Sequence, residues 1–446
     1  GYPSRRTATA PPLRARHPLC TAMIPPVILS HPTANVFSVA LAEHLATIGV
    51  LDSFWTAFVW EKANRAGRLI PGGIRAQLER RSVSPALHEF VHAHPSREIG
   101  RLLLQRMGLR NLHMHPGSPF STQAVYTSLD RKVAAWIKRH ASPGVVYAYE
   151  DGAAASFRAA AERGCFRVYD LPIAYWELRQ SIYETESKRY PDWKDTLQGT
   201  DDPPEKLTRK TQEALDADLI ICPSDFVKDS LLQSPAGAKP IAVVPFGSPL
   251  PSQPSSPDRS DSAAPLRVLF VASLSQRKGL ADLFEAIKLL PKGSISFQVI
   301  GSLLMPLKFY TSRCPEMNYL GTMPRASVLD AMRKADVLVL PSLAEGRALV
   351  TQEALSQGLP VIVTPNTGIS DLMIDGENGF TVPIRDPESI ADRLNWFCEN
   401  RQHIEAMRTQ ARNSVRHLSW DRYASGIVKS IENHISGCMQ DSSPAL

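Results

Sequence analysis

The sequence predicts an α/β protein built from two doubly wound parallel sheets. Short apolar runs such as Val145–Tyr149 and Val337–Leu340 have the composition of strands that are covered on both faces. Each run is followed by a polar loop and then by a pattern with helical spacing. Residues 248–265, which are rich in Pro and Ser, separate an N-terminal set of these units from a C-terminal set. We therefore expect two domains joined by a linker.

The N-terminal half contains five predicted strands. They cover Val27–Ser30, Val145–Tyr149, residues 167–169, Leu219–Cys222 and residues 241–244. Helices are predicted over residues 36–48 and 153–163, and the second has the Ala-rich composition of a helix that crosses between parallel strands. In the first strand–helix turn, His31 could contact a ligand, whereas Asn35 is better suited to capping the helix.

Acidic residues follow two of these strands. Glu150 and Asp151 come after the second strand, and Asp170 comes after the third. Because open α/β sheets bind ligands at the carboxyl ends of their strands, these side chains could orient substrate hydroxyls. A helix N-cap for Asp151 and a turn position for Asp170 are equally good interpretations. Residues 192–205 hold several acids among Pro and Gly, and we expect a loop there without a metal site.

The C-terminal half repeats the alternation of strand and helix. Strands are predicted over residues 267–272, residues 297–300 and Val337–Leu340, and helices over residues 280–290 and from Ala348 to Gly358. The loop after Val337–Leu340 places the N-terminus of the helix predicted from Ala348 to Gly358 at the cleft. Free backbone N–H groups and the positive end of the helix dipole at that point favour an anion.

Two acids and two cations in this half indicate the kind of ligand. Glu353 follows Glu345 by eight positions, which at about 100° per residue places both carboxylates toward one cleft. Arg277 and Lys278, followed by Gly279, stand at the end of the first strand of this half and suit a diphosphate. A sugar nucleotide needs both features, since its phosphates require donors and its hydroxyls require acceptors.

Composition and charge narrow the class of protein. The chain has 446 residues, no apolar run long enough to span a membrane, and six cysteines that are scattered without a close pair. We therefore expect a protein of the reducing cytoplasm. Residues 1–150 carry 18 Lys and Arg against 8 Asp and Glu. No basic tract interleaved with aromatic residues occurs, so a nucleic-acid partner is not expected.

The basic excess includes a predicted amphipathic helix over residues 97–110, in which arginines surround apolar positions. An ordinary surface helix is one interpretation, and peripheral contact with an anionic inner membrane face is the other. Residues 1–22 carry arginines and prolines without acids. We expect a disordered basic extension there, with Met23 as the native start, and a transit peptide is the alternative.

One short motif suggests a different chemistry. His88, Glu89 and His92 have the spacing of a zinc-hydrolase helix. Pro95 would end such a helix three residues later, and no third ligand stands at the spacing that the larger zinc-protease families use. We expect structural or exposed histidines here and no metal.

The motifs of the C-terminal half occur in a recognisable order. They are Arg277-Lys278-Gly279, Asn318-Tyr319-Leu320-Gly321, the pair Glu345 and Glu353, Gly358-Leu359-Pro360, Gly368, Asp375-Gly376-Glu377-Asn378-Gly379 and Leu418-Ser419-Trp420-Asp421. In this order they resemble the nucleotide-sugar-binding half of a family 4 glycosyltransferase. The N-terminal half resembles the family more loosely, through Cys222-Pro223-Ser224 and Val244-Pro245-Phe246-Gly247.

The resemblance implies a GT-B fold, in which two Rossmann-like domains face a central cleft and a C-terminal helix returns to the first domain. On this basis the expected units are an acceptor-side domain at 23–247, a linker at 248–265, a donor-binding domain at 266–420 and the returning helix and tail at 421–446. The implied activity is transfer of a hexose from a nucleoside-diphosphate sugar to a glycan or lipid-linked acceptor. It proceeds with retained configuration and without a required metal or other cofactor.

The resemblance also implies roles for single residues. Arg277 and Lys278 would hold the diphosphate and stabilise the leaving group, and Glu353 would accept hydrogen bonds from the ribose. Glu345 and the backbone from Gly346 to Leu349, including Arg347 and Ala348, would fix the donor sugar and phosphate. Tyr319 and Leu320 would lie by the base. Glu150 and Asp170 are the N-terminal candidates for catalytic contacts, and His31 is the N-terminal candidate for donor binding.

Several positions depart from the family pattern. Arg347-Ala348 stands where Phe-Gly is usual, His31-Pro32 replaces Gly-Gly, and Tyr169 stands where a histidine is often found. These departures are also compatible with alternative functions. They are nucleotide-sugar epimerisation or hydrolysis on the same fold, and a non-catalytic nucleotide-sugar-binding scaffold.

Overall fold

The computed structural model describes residues 24–60, 81–109, 112, 117–197, 199, 202–253 and 264–441. The predicted extension at 1–22 and most of the predicted linker at 248–265 lie outside these residues. The described chain forms two separate parallel sheets, each with helices on its faces. The predicted fold class is confirmed.

The N-terminal sheet has seven parallel strands in the order β3-β2-β1-β4-β5-β6-β7. They are β1 Val27–Ser30, β2 Leu51–Thr56, β3 Val91–Ala93, β4 Val145–Tyr149, β5 Phe166–Asp170, β6 Leu219–Cys222 and β7 Ile241–Val243. The strand order reverses between β1 and β4, where Val27 pairs with Val145. A crevice forms at such a reversal, and Val36 and Phe37, which follow the loop after β1, line the cleft.

The helices of this half are α1 Val36–Thr47, α2 Ser96–Arg106, α3 Thr122–His140, α4 Ala154–Glu162, α5 Trp176–Arg189, α6 Pro204–Asp216 and α7 Asp225–Leu232. The side chain of Asn35 accepts a hydrogen bond from the N–H of Ser38, which confirms Asn35 as the N-cap of α1. The loop predicted over residues 192–205 is wrong in part. A 3₁₀ turn, Pro191–Thr196, continues from α5, and α6 begins at Pro204.

The C-terminal sheet has six parallel strands in the order β10-β9-β8-β11-β12-β13. They are β8 Leu266–Val271, β9 Ile295–Ile300, β10 Met317–Tyr319, β11 Val337–Leu340, β12 Val361–Val363 and β13 Gly379–Thr381. Its helices are α8 Leu280–Lys288, α9 Leu307–Thr311, α10 Arg325–Lys334, α11 Leu349–Ser356, α12 Pro387–Glu399 and α13 Ile404–Ser414. Every residue of β11 is fully buried, as its apolar sequence predicts.

Within the described residues, segments from each half of the chain pack against the other domain. The last helix, α14 Trp420–Asp441, returns to the N-terminal domain, where Tyr423 and Ile427 join the core beside β1 and β4. This confirms the predicted return. In the opposite direction, Trp193 leaves the N-terminal half and packs in the C-terminal core, edge-on to Phe284 at 5.7 Å. The predicted limits of the domains remain predictions.

The zinc-hydrolase motif does not form a helix. His88 follows a 3₁₀ turn, and His92 lies in β3, where it stacks on Trp55 with the ring centres 4.6 Å apart. No cluster of His, Cys, Asp or Glu suited to a metal occurs among the described residues. Within the same ranges, we find no helix with the length and apolar character needed to cross a membrane.

Candidate functional site

A cavity of about 900 Å³ lies between the domains. Its N-terminal wall comes from the start of α1, the loop after β5 and the segment after β7, and Trp420 at the start of α14 adds to it. Its C-terminal wall comes from the loops after β8 and β11 and from the first turns of α10 and α11. The cavity therefore lies at the carboxyl ends of both sheets and has the volume of a small-molecule site.

The turn after β8 carries Arg277 and Lys278 into this cavity. Gly279, with φ of 71°, ends the turn in the left-handed region, and a Cβ there would overlap the carbonyl oxygen of Pro341. The N–H of Leu343 donates to the carbonyl oxygen of Arg277 at 2.9 Å. The loops after β8 and β11 are thus held directly against each other, which fixes the two cations beside the helix N-terminus.

Glu345 lies between the two cations. Its Oε1 is 2.6 Å from Nη1 of Arg277 and 2.6 Å from Nζ of Lys278, and the residue is 8% exposed. Burial would raise the pKa of Glu345, but the adjacent Lys278 and Arg277 outweigh it and hold that pKa below its usual value. Burial lowers the pKa of Lys278, and Glu345 opposes that shift. The site combines a cationic pair and one carboxylate at contact distance.

Glu353, in the second turn of α11, faces the same cavity as Glu345, as predicted. Its Oε1 is 2.8 Å from Nε of Arg325, at the start of α10. Burial raises the pKa of Glu353, and Arg325 partly opposes the shift. Arg325 was not among the predicted site residues. The signal available was a basic residue just after Pro324, where a helix begins close to the carboxyl edge of the sheet.

The loop between the two glutamates is packed closely against the N-terminal domain. A Cβ on Gly346 would overlap the carbonyl oxygen of Pro172, and the carbonyl oxygen of Gly346 accepts a bond of 2.6 Å from the hydroxyl of Ser224. Leu349 and Val350 begin α11 and line the cavity, so the positive end of this helix lies at the cavity. The N–H of Ala348 instead donates to Thr367.

Arg347 is turned to the protein and not to a ligand. Its guanidinium makes two bonds to the carboxylate of Asp371, at 2.7 and 2.9 Å, and its Nε donates to Gln352 at 2.6 Å. The side chain is only 1% exposed. The residue borders the cavity, but its charge is already paired. This arrangement explains how an arginine fits a position where the resembling family has an aromatic residue.

The N-terminal candidates do not line the cavity. Asp170 is 1% exposed and accepts a 2.5 Å bond from the hydroxyl of Tyr147 inside the core. Burial raises the pKa of Asp170 to about 7, and hydrogen bonds from Tyr147 and Tyr149 limit this increase. Glu150 is paired with Lys210 at 2.7 Å and Arg179 at 3.2 Å. Both acids stand at strand ends as predicted, but each already has protein partners.

The other predicted contacts also lie outside the cavity lining. His31 is buried, its Nδ1 accepts from the N–H of Thr33 at 3.2 Å, and burial lowers its pKa to about 3. Tyr319 donates its hydroxyl to the carbonyl oxygen of Gly301 at 2.8 Å, and the N–H of Leu320 donates to Val299. Met323, just after them in the chain, is what borders the cavity.

Aromatic side chains form the N-terminal wall, and the sequence analysis did not single them out. Phe37 and Phe246 stack with their centres 4.9 Å apart, and Trp420 lies near Phe246. Phe246 belongs to the quoted motif Val244-Pro245-Phe246-Gly247, which was the available signal. One wall of the cavity is therefore aromatic and the opposite wall is charged.

Comparison with known proteins extends this description. Residues 257–414 match the family model described as glycosyl transferases group 1. A putative colanic acid biosynthesis glycosyltransferase, WcaL, of Salmonella typhimurium is 30% identical over 165 residues, which are 34% of this chain and 41% of that protein. An uncharacterised glycosyltransferase of Methanocaldococcus jannaschii is 26% identical over 168 residues, or 37% of this chain and 47% of that protein. The matched region thus spans less than half the length of these relatives.

Solved structures match over nearly the whole chain. Sucrose-phosphate synthase from Thermosynechococcus elongatus superposes with a TM-score of 0.64 at 15% identity, covering 94% of this chain and 100% of that one. Anabaena HepE in complex with UDP superposes with a TM-score of 0.57 at 17% identity, with coverage of 94% and 100%. At these identities the likeness concerns the fold, which is GT-B. The region that matches the glycosyl transferases group 1 model includes the cation turn and both glutamates of the cavity.

Proposed function

We propose that the protein is a retaining glycosyltransferase that moves a hexose from a nucleoside-diphosphate sugar to a glycan or lipid-linked acceptor. The observation that carries this proposal is the contact of Arg277 and Lys278 with Glu345 in the interdomain cavity. In the reaction, the bond from the sugar C1 to the diphosphate breaks and a bond from C1 to an acceptor oxygen forms. The acceptor proton is released, and the diphosphate leaves with the bonding electrons.

The chemistry needs stabilisation of the charge on the departing diphosphate. Two partly buried cations and the N-terminus of α11 supply it from fixed positions. The proposal therefore includes no metal ion. Glu353, with Arg325 beside it, is the proposed ribose site, because a carboxylate accepts hydrogen bonds from both ribose hydroxyls.

For the donor, a uridine nucleotide is the first candidate. HepE, which shares the fold, has been solved with UDP and with UDP-glucose. WcaL and AmsK, which each match about a third of this chain, are named as glycosyltransferases of colanic acid and amylovoran biosynthesis. These names support a glycan or lipid-linked acceptor as the proposal for this chain.

The surface of the N-terminal domain supports an additional proposal, that the protein acts at the cytoplasmic face of an anionic membrane. Arg97, Arg131 and Lys132 line a second cavity of about 670 Å³ whose lining includes no acid. Leu103 of α2 and Met107, which caps this helix, are 55% and 69% exposed, and Arg97 of the same helix lines the cavity. Cations next to exposed apolar side chains favour anionic lipid.

Sedimentation with vesicles tests the membrane proposal. We expect binding to phosphatidylglycerol-containing vesicles at low salt that weakens as salt increases, and little binding to phosphatidylcholine alone. The variant Arg131→Glu should bind less. Lys288→Glu, which changes an exposed cation of the other domain, is the matched control. Equal sedimentation with both kinds of vesicle would contradict the electrostatic basis.

A thermal-shift screen with UDP-, GDP-, ADP- and dTDP-sugars, each with and without Mg²⁺, tests the donor site. A ligand at a hundred times its dissociation constant stabilises the fold by about 2.7 kcal/mol, which is readily detected. Incubation of the stabilising sugar with candidate acceptors, followed by NMR of the anomeric proton, then separates retaining transfer from epimerisation or hydrolysis. No shift with any nucleotide sugar would contradict the proposal.

A further inference from the structure

One helix of the N-terminal domain reaches the cation turn of the C-terminal domain. Helix α5 follows β5 in the N-terminal half, yet Glu186, near its end, contacts the turn that carries Arg277 and Lys278. Ile182 and Tyr183 on the same helix pack with Leu343 and Ala344, next to Glu345. These positions recur at the spacing of one helical face. The donor wall is therefore supported from outside its own domain.

Glu186 is completely buried, and its main partners belong to the other domain. Its carboxylate accepts a 2.5 Å bond from Nε of Arg385 and a 2.7 Å bond from Nε2 of Gln276, and Arg189 contributes bonds of 3.2 Å. A buried carboxylate is stable only when such partners are present. The position of Glu186 is thus coupled to the C-terminal domain.

Gln276 immediately precedes the two cations, and each of its polar groups is bonded. Its Nε2 donates to Glu186 and, at 2.8 Å, to Asp282, while its Oε1 accepts from the N–H of Ala281 at 2.9 Å. Its own N–H donates to the hydroxyl of Thr196 at 3.0 Å. Thr196 lies in the 3₁₀ turn that extends α5. Glu186 in α5 and Thr196 in the turn that follows it therefore both hold Gln276, the residue before Arg277.

The charges around Gln276 balance without the donor cations. Asp282 accepts from Arg189 at 3.0 Å, so two acids, Glu186 and Asp282, face two arginines, Arg189 and Arg385. Arg385 adopts a left-handed φ of 64°, which is costly for a residue with a side chain. The ion pair of Arg385 with Glu186 offsets the free-energy cost of this backbone conformation. Arg277 and Lys278 thus have no pairing role in this network.

We propose that Glu186 and Gln276 are positioning residues, through which helix α5 of the N-terminal domain sets the location of the diphosphate-binding cations. This inference rests on the proposed function, because it assigns Arg277 and Lys278 to the donor diphosphate. Neither residue lines the cavity, so both act through the turn. Donor binding in one domain then depends on an intact contact with the other.

Two variants, which differ in how strongly they should destabilise the fold, test the proposal. Glu186→Gln removes the charge at constant size. Thr196→Val removes the hydroxyl that accepts from the N–H of Gln276 and donates to the carbonyl oxygen of Trp193. UDP affinity is measured by calorimetry on protein whose folding has been checked by circular dichroism. We expect at least tenfold weaker UDP binding for Glu186→Gln and about threefold for Thr196→Val. If a transfer assay has been established, KM for the donor should increase by similar factors.

Asp192→Asn is the matched control. It removes another pair between the same segment and the C-terminal domain, with Arg313 at 2.8 Å, but Asp192 is 74% exposed and does not contact the turn. Its UDP affinity should equal that of the wild type. Lower melting temperatures with unchanged UDP affinity in Glu186→Gln and Thr196→Val would show a merely structural role and overturn the inference. A wild-type protein that does not bind UDP or any other nucleotide would overturn the proposed function, and this inference with it.

Discussion

Nζ of Lys278 lies 2.6 Å from Oε1 of Glu345, the same oxygen that accepts from Arg277. A carboxylate therefore occupies the charge environment that the donor diphosphate is proposed to enter. The cations are held in position before the ligand arrives, and the ligand exchanges one anionic partner for another. Preorganised charge of this kind avoids reorganisation during the reaction.

Removal of a cation should reduce turnover. We expect Arg277→Ala to lower kcat by about a hundredfold or more, because it removes charge that acts on the leaving group. Lys288→Ala, which removes an exposed cation of the same domain, is the control and should leave kcat unchanged. Steady-state kinetics with the identified donor measure both, and wild-type turnover in Arg277→Ala would contradict the leaving-group role.

Glu345→Gln should separate binding from turnover. Without the carboxylate, two partly buried cations lose their partner, so the ligand-free protein should melt at a lower temperature. UDP should bind several times more tightly because its phosphates no longer compete with an anion. Turnover should still fall if Glu345 also orients the donor sugar. Calorimetry and kinetics on the same preparation test this, and weaker UDP binding would contradict the competition.

Glu353→Gln should weaken nucleotide binding by about tenfold, because an amide accepts hydrogen bonds from ribose less strongly than a carboxylate. Glu285→Gln, an exposed acid of the same domain, serves as the control. Calorimetry with UDP gives both affinities. Equal affinity for Glu353→Gln and the wild type would exclude the ribose role.

Arg347 is expected to matter for stability and not for the choice of sugar. Replacement by Met removes bonds to Asp371, Gln352 and the carbonyl oxygen of Gly368, and loss of such charged bonds costs about 1.5–3 kcal/mol. Urea unfolding should show this loss, while the ranking of donor sugars in the transfer assay should stay the same. A changed ranking would indicate that the guanidinium leaves Asp371 when a donor binds.

Asp170 gives a prediction about pH. Its pKa of about 7 in the fold exceeds the ordinary value of 3.8, so the folded state holds a proton that the unfolded state has lost between about pH 4 and pH 7. This contribution makes the fold less stable as the pH rises through that window. In Asp170→Asn it is absent. The stability of the variant relative to the wild type should therefore increase with pH, by up to about 1.4 kcal/mol for each unit of pKa difference.

Urea unfolding of both proteins at pH 4.5 and pH 7.5 measures the effect. Since Asp170 accepts from Tyr147 in the core and does not line the cavity, kcat should also stay within a few-fold of the wild type. A hundredfold loss in a folded Asp170→Asn protein would restore a catalytic role. A constant stability difference at the two pH values would contradict the raised pKa.

The parts of the fold that were predictable are those with a strong local pattern. Val337–Leu340 and Leu219–Cys222 have the predicted bounds, because a strand buried on both faces is apolar at every position. β2 and β3 were missed, since Asp52 interrupts the first and the second is a three-residue edge strand that includes His92. Helical geometry predicted the direction of Glu353, but Glu345 lies in the loop before α11, so the conformation of that loop also decides how the two carboxylates meet.

The sequence by itself determined the two-sheet fold, the cation turn and the acidic pair, because each is encoded by neighbours along the chain. Only the tertiary structure decided which candidates share the cavity. In the structure, Arg277 and Lys278 form ion pairs with Glu345. Arg325 pairs with Glu353, and Arg347 pairs with Asp371. The tertiary structure also buried Asp170 under Tyr147 and attached Glu186 to Gln276 across the domains. These contacts join residues that are far apart in the sequence, and local sequence patterns do not specify which distant residues will meet.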